Sequence, residues 1–366
     1  MALHFSKYEF LQRKNKILGS MREQKIDALL MFRQESMYWL TGYDTFGYVF
    51  FQTLVLDKNG NTILLTRAPD LRQAQNTSNI EDIRIWVDRD GSNPTDDLKV
   101  ILNELSLKGK KIGIEYEAYG MTGRNALRLN KSLENYCKVE DQSELITKLR
   151  VIKSNEELVY VKQAAKLADR ALDEAWKYTK AGANEAKILA EMQKAVLEGG
   201  GDYPANEYII GSGSNALLCR YQAEKRNLSE KDQLSLEWAG TYKHYHSAMF
   251  RTIPIGKADP KHIKMHEACV EALNNCVNNL VPGKTAGDVF DTHAKTFDDL
   301  GFNKARMNAC GYSLGSTFSP NWMDWPMLYT GNPYIITPGN VFFMHMILMD
   351  SDNNLAMNLG ETYLVT

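Results

Sequence analysis

Cysteine is scarce here and forms no recognisable pattern. The 366 residues hold five, Cys137, Cys219, Cys269, Cys276 and Cys310, with no C-x-x-C spacing. An odd, scattered set excludes a disulfide framework and a zinc ribbon, and it fits reduced thiols. Charge of one sign is also missing in excess. Lys and Arg total 43 against 45 Asp and Glu, and no basic block occurs, which argues against a nucleic-acid or membrane-surface partner. No apolar run reaches the roughly 18 residues of a membrane span. The opening segment MALHFSKYEFLQRKNKIL lacks an apolar signal core, so a cytoplasmic location is expected. Gly211-Ser212-Gly213-Ser214 lacks the Gly-Lys-Ser/Thr of a phosphate loop and opens no predicted helix. No internal repeat stands out.

What is present is an ordinary globular composition, 44% hydrophobic and 24% charged, over a length sufficient for two domains. Residues 7–25 predict an amphipathic helix. Residues 26–32 and 111–117 predict strands, and 49–57 with 61–66 predict a hairpin around the turn at 57–60. Helical stretches near 69–77, 95–106 and 120–134 fall between them. This alternation predicts an α/β domain over 1–148. A second domain, 149–366, opens with Ser154-Asn155-Glu156-Glu157. That is a capping box, in which the Ser and Glu side chains each satisfy the other's backbone N–H, and it starts a helix reaching about Thr179. A further helix over 184–197 stops at Gly199-Gly200-Gly201. Strand hairpins near 206–211 and 233–254, helices over 260–281 and 286–300, and terminal strands complete the domain.

Several residues there can carry chemistry. Glu237 lies in the apolar strand LSLEW, where a carboxylate is costly unless paired or hydrogen-bonded. It is either a structural partner of a cation such as Arg251, or a catalytic nucleophile or base. His244 and His246 are two apart. On a strand they would share a face and could shuttle protons beside Glu237, or one could face solvent or a subunit interface. Arg220 offers a planar fork for a carboxylate, or a structural ion pair. Trp322, Asp324 and Trp325 stand close together and would suit a flat cation, or form a packed loop or a dimer contact. Cys219, with no sign of an activating environment, reads as an inert thiol. His4, His262, His266 and His293 read as surface or packing residues.

Residues 233–253, QLSLEWAGTYKHYHSAMFRTI, resemble the metal-binding strand pair of the aminopeptidase P/prolidase/creatinase family, Asp-x-Gly-Ala-x-Tyr-x-Gly-Tyr-x-Ser-Asp-x-Thr-Arg-Thr. Gly311–Gly315, Val341–Met346 and Gly360–Thr366 resemble its remaining ligand segments. The resemblance implies an α/β (α+β) architecture: a smaller N-terminal creatinase-like domain followed by a C-terminal pita-bread domain. It places the five family ligands on Glu237, Ala248, Tyr312, His345 and Gly360. Sliding the last segment by one brings in Glu361 instead. One Glu and one His cannot hold two divalent metals, which need several hard oxygens, so no metal and no cofactor is expected. By the same resemblance Arg220 stands where the family has a substrate-contacting His. Residues 39–46, with Tyr43, match an N-terminal segment that reaches the partner's site in family dimers, so a homodimer is expected. Small Ala248 and Gly360 would open space, and Tyr312 and His345 would add hydrogen-bonding groups.

The resemblance implies as substrate a small cationic cyclic amidine bearing a carboxylate. Glu237 would attack the amidine carbon or activate water, with His345 or His244 protonating the leaving nitrogen and Tyr312 assisting. Arg220, Trp322, Asp324, Trp325, His246, Tyr43 and Glu361 would contact the substrate. The rival expectations are a metal-dependent dipeptidase or lyase with rearranged ligands, and a catalytically silent binding protein.

Overall fold

The computed structural model describes residues 3–221 and 223–366, which divide into two compact units, Met1–Arg150 and Val151–Thr366. In the first unit six strands form one sheet: β1 (Ala28–Met31), β2 (Thr53–Asp57), β3 (Thr62–Arg67), β4 (Asp82–Trp86), β5 (Lys111–Ile114) and β6 (Lys138–Asp141), in the order β4-β3-β2-β1-β5-β6. Alternate residues feed two cores, as the two-residue period of a strand requires. Leu30, Val55 and Ile112 pack with Leu98 and Leu129 of helices α4 (Pro94–Glu104) and α5 (Gly123–Leu133). Leu29, Leu54 and Leu64 pack with Ile17 of α1 (Lys7–Glu23), Met37 of α2 (Gln34–Thr41) and Ile146 of α6 (Leu145–Arg150). Helix α3 (Leu71–Thr77) follows β3.

Helix α2, β4 and β6 fall outside the elements expected from sequence. All eight residues of α2 are buried, and its N-cap Arg33 contributes no side-chain cap. The fully buried Glu115 supplies one from elsewhere in the chain. It accepts from the Phe32 and Arg33 N–H groups at 3.0 Å each and from the Ser36 hydroxyl at 2.5 Å.

The second unit holds one seven-stranded sheet in the order β11-β10-β12-β13-β9-β8-β7. Its strands are β7 (Ile209–Ser212), β8 (Asp232–Tyr242), β9 (Tyr245–Ile255), β10 (Gly311–Ser313), β11 (Asp324–Met327), β12 (Val341–Asp350) and β13 (Leu355–Leu364). Every paired neighbour is antiparallel. Helices α7 (Asn155–Tyr178), α8 (Glu185–Glu198), α9 (Pro260–Asn279) and α10 (Ala286–Asp299) belong to this unit. The capping box at Ser154 and Glu157 is formed, and Glu157 also accepts from the Tyr245 hydroxyl at 2.7 Å.

Alternation along the strands separates a helix-covered face from a second face. Phe342, Met344, Met346 and Leu348 of β12 join the core built on α9 and α10. Trp238 donates to the Ala168 carbonyl of α7 at 3.0 Å. At Gly240 a Cβ would sit 2.0 Å from the Ala164 carbonyl oxygen, so only glycine lets α7 ride this close to β8. Residues of the opposite parity, Glu237 among them, look the other way. Among the described residues no helix is long and apolar enough to cross a membrane.

Candidate active site

Cross-strand register decides which residues share Glu237's face, because directly opposed residues project to the same side. One row of the sheet reads Ile209, Glu237, Phe250, Gly360 and His345 across β7, β8, β9, β13 and β12. Ala239 opposes Ala248 two residues along, and Tyr312 opposes Phe343. The five positions that match the family's ligands, Glu237, Ala248, Tyr312, His345 and Gly360, therefore lie on one face of one sheet.

The side chains at those positions do not make a metal centre. Ala248 and Gly360 bring no donor atom. The space at Gly360 is not open either, since a Cβ there would meet the Phe343 ring at 2.8 Å and the Met344 carbonyl oxygen at 3.0 Å. Ala248 is fully buried and Phe250 nearly so. At Gly360 the expectation that a small residue enlarges the site is thus corrected: the Phe343 ring fills that room. Among the described residues no three His, Cys, Asp or Glu side chains gather closely enough to hold a metal ion. The phenol of Tyr312 is driven well above its ordinary range by burial and by the Glu237 charge, so it stays protonated and offers no anionic oxygen. The residues present do not fit a divalent pair.

They fit a single activated carboxylate. The Trp322 indole N–H donates to the Tyr312 hydroxyl at 2.9 Å, and that hydroxyl donates to Glu237 Oε1 at 3.3 Å. Burial pushes the Glu237 carboxyl up to about 7, against the lowering effects of the Tyr312 hydroxyl and the Arg220 charge. A carboxyl poised there can give and take a proton near neutrality. Arg220 is exposed and makes no ion pair among the described residues, yet its charge acts on Glu237, Tyr312 and Cys219. An exposed guanidinium offers a planar fork that suits an anionic group. Burial raises the Cys219 thiol, which matches its reading as an inert residue.

His345 tilts against Tyr312 and Phe343, with ring centroids 5.7 and 5.5 Å away. Burial pushes it down to about 4, and its Nδ1 is buried without a hydrogen-bond partner among the described residues. This burial favours the neutral imidazole.

Five other expectations are corrected by position. His244 is not on a strand. It occupies the turn joining β8 to β9 with φ 63°, beside Lys243 at φ 51°, and stacks on Phe318 at 4.1 Å. Five residues of strand separate that turn from Glu237, about 17 Å at an ordinary rise. His246 shares Glu237's face, but both its ring nitrogens are committed within the protein. Its Nε2 accepts from the Ala205 N–H at 2.9 Å and its Nδ1 bonds the Thr317 hydroxyl at 3.1 Å. Glu361 projects to the helix face, where it pairs with Arg251; the same parity rules out Arg251 as a partner of Glu237. Tyr43 is buried in the core of the first unit, its hydroxyl donating to Gln52 at 3.1 Å. The two tryptophans have different surroundings. Trp322 is buried behind Tyr312, whereas Trp325 packs edge-on against Tyr334 at 5.0 Å. Asp324 lies against Gly315 together with the buried Lys153: a Cβ on that glycine would be 3.2 Å from the Asp324 carboxylate and 3.4 Å from Lys153 Cε. Phe343 was missed, although its spacing of two from His345 on a strand is the signal that places both on one face.

A two-domain fold with a site on the inner strands defines the class, and the chain belongs to it: residues 160–366 match Metallopeptidase family M24 and residues 13–152 match the Creatinase/Prolidase N-terminal domain. It reads accordingly as a hydrolase of this family. The chain is 25% identical to the ectoine hydrolase of Halomonas elongata, over 100% of this chain and 95% of that protein. It is 24% identical to the Xaa-Pro dipeptidase of Pyrococcus horikoshii, over 90% of this chain and 88% of the relative. The crystal structure of a prolidase from Thermococcus sibiricus superposes with a TM-score of 0.86 at 20% identity, covering 98% of this chain and 94% of that one.

Proposed function

We propose that this protein hydrolyses ectoine, or a close relative of it, opening the cyclic amidine to an N-acetyl-2,4-diaminobutyrate by means of Glu237 and without a metal. The observation that carries this reading is one half-buried carboxylate, held by Tyr312, under the charge of one exposed guanidinium, Arg220. A planar amidinium is drawn to a carboxylate and to aromatic faces, and its own carboxylate is drawn to the arginine. A divalent metal in the same place would repel that cation. The likeness to the Halomonas protein supports the substrate class.

Glu237 deprotonates a water that adds to the amidine carbon, or adds there itself. In the second case the C–N bond to the ring nitrogen breaks with a proton from solvent, and water then releases Glu237 from the covalent intermediate. Both routes begin from the ionised carboxylate. The water route is self-contained, because Glu237 then holds the proton that the departing ring nitrogen requires. Tyr312 steadies the carboxylate while Phe343 and the neutral His345 line the face beside it. The protein is soluble, cytoplasmic and homodimeric in this account, with its N-terminal domain ending near residue 148.

The pH dependence tests the role of Glu237. Its carboxyl is raised to about 7, so it is protonated below that pH and ionised above it. With ectoine as substrate, kcat/KM is expected to fall about tenfold for each pH unit below 7 and to level off above it. Product formation followed by proton NMR from pH 5 to 9 reads this directly. A profile that stays flat down to pH 5 would remove Glu237 from the reaction.

A further inference from the structure

His246 is fully buried and touches no reacting atom, yet its hydrogen bonds lead to Glu237. Its Nε2 accepts the Ala205 N–H at 2.9 Å, which leaves the ring proton of the neutral imidazole on Nδ1. Nδ1–H then donates to Thr317 Oγ1 at 3.1 Å. The Thr317 hydroxyl donates to the Trp322 carbonyl at 3.4 Å, and the imidazole lies 6.3 Å from the Trp322 ring. From Trp322 the chain continues through the indole N–H to Tyr312 and on to Glu237. Backbone bonds already fix residues 315–317 against the start of β9: His246 N–H donates to the Gly315 carbonyl at 3.3 Å, and Thr317 N–H donates to the His244 carbonyl at 3.1 Å. Within the stretch from 317 to 322, Asn321 N–H donates to the Phe318 carbonyl at 3.4 Å, and side chains supply the link from Thr317 to Trp322.

We propose that His246 is a positioning residue for the catalytic carboxylate, a tautomer-locked strut that holds Thr317 and Trp322 so that Tyr312 donates to Glu237. The proposal rests on Glu237 being the reacting group, and it adds why an imidazole stands two residues from Ala248. The alternative for this residue, substrate contact, has no free nitrogen to use.

The test reads the carboxyl itself. Full-length protein carrying 13C at the glutamate side-chain carboxyls is titrated from pH 5 to 9 by infrared spectroscopy, with Glu237→Gln subtracted to isolate the Glu237 band. Tyr312, Arg220 and Cys219 act on this group and are left unchanged in the His246 and Thr317 single variants. His246→Leu and Thr317→Val are expected to move the Glu237 midpoint upward, in the direction of Tyr312→Phe, because the Tyr312 donor stabilises the ionised form. His246→Gln, with donor and acceptor spaced much as in imidazole, is expected to keep the wild-type midpoint. In a Tyr312→Phe background His246→Leu is expected to add nothing, since coupled residues fail to sum. Thr317→Val carries the test if His246→Leu does not fold. An unchanged midpoint in the folded variants, or a shift that persists undiminished in Tyr312→Phe, would overturn the strut. The titration is independent of turnover. If the wild type does not open ectoine, the proposed function fails while this result stands on its own.

Discussion

Glu237→Gln is expected to lower turnover of ectoine by at least about a thousandfold while leaving the fold intact, since removing an essential nucleophile or base costs on that order or more. The substitution keeps the shape of the side chain and an oxygen to accept the Tyr312 hydroxyl, so the loss isolates the ionisable group. Stability gives an independent reading with a definite sign. The folded state raises the Glu237 carboxyl from 4.5 to about 7, so it prefers the protonated form. Above pH 4.5 the unfolded chain ionises more readily than the folded one, and Glu237 increasingly destabilises the protein until the pH passes 7. The glutamine variant is therefore expected to have a higher Tm than wild type at pH 8, with the difference closing near pH 4.5. A variant that is both active and no more stable at pH 8 would contradict both halves of the assignment.

Arg220→Ala is expected to reduce kcat/KM for ectoine by roughly a hundredfold, chiefly through KM, because a charge-assisted pair to the substrate carboxylate is lost. A cyclic amidine without the carboxylate separates this from general damage: it should be turned over poorly by wild type and about equally poorly by the variant. The variant should also shift the acidic limb upward, since the Arg220 charge lowers the Glu237 carboxyl. Equal losses on both substrates would mean that Arg220 supports the loop and does not bind the acid group.

How far the sequence reaches is clearest on β13. Segment matching left Gly360 and Glu361 as competing choices, and the difference is one residue. In a strand that slip reverses every side chain. The register opposing Gly360 to both His345 and Phe250 puts Gly360 on the site face and sends Glu361 to Arg251 on the other. His244 and His246 failed for a related reason. Their spacing suggests one face only if both lie on a strand, and the left-handed backbone at Lys243 and His244 turns the chain between them. Tyr43 was misplaced because Gln34–Thr41, a mixed run without a strong period, folds as a fully buried helix capped by the distant Glu115. In contrast, the capping box at Ser154 and the alternation of β8 were readable, since both depend on neighbours within a few residues. What stays hidden in sequence is which rings fill a vacated space: Phe343 over Gly360 is a tertiary fact.

The central claim is that a lone carboxylate does the work in a family named for its metallopeptidases. The most direct measurement is turnover of ectoine by protein stripped with a chelator and shown by elemental analysis to carry far less than one metal per chain, with the N-acetyl product followed by proton NMR. The account predicts a rate equal to that of untreated protein and unaffected by added manganese. Activity abolished by chelation and restored by a divalent ion would contradict it.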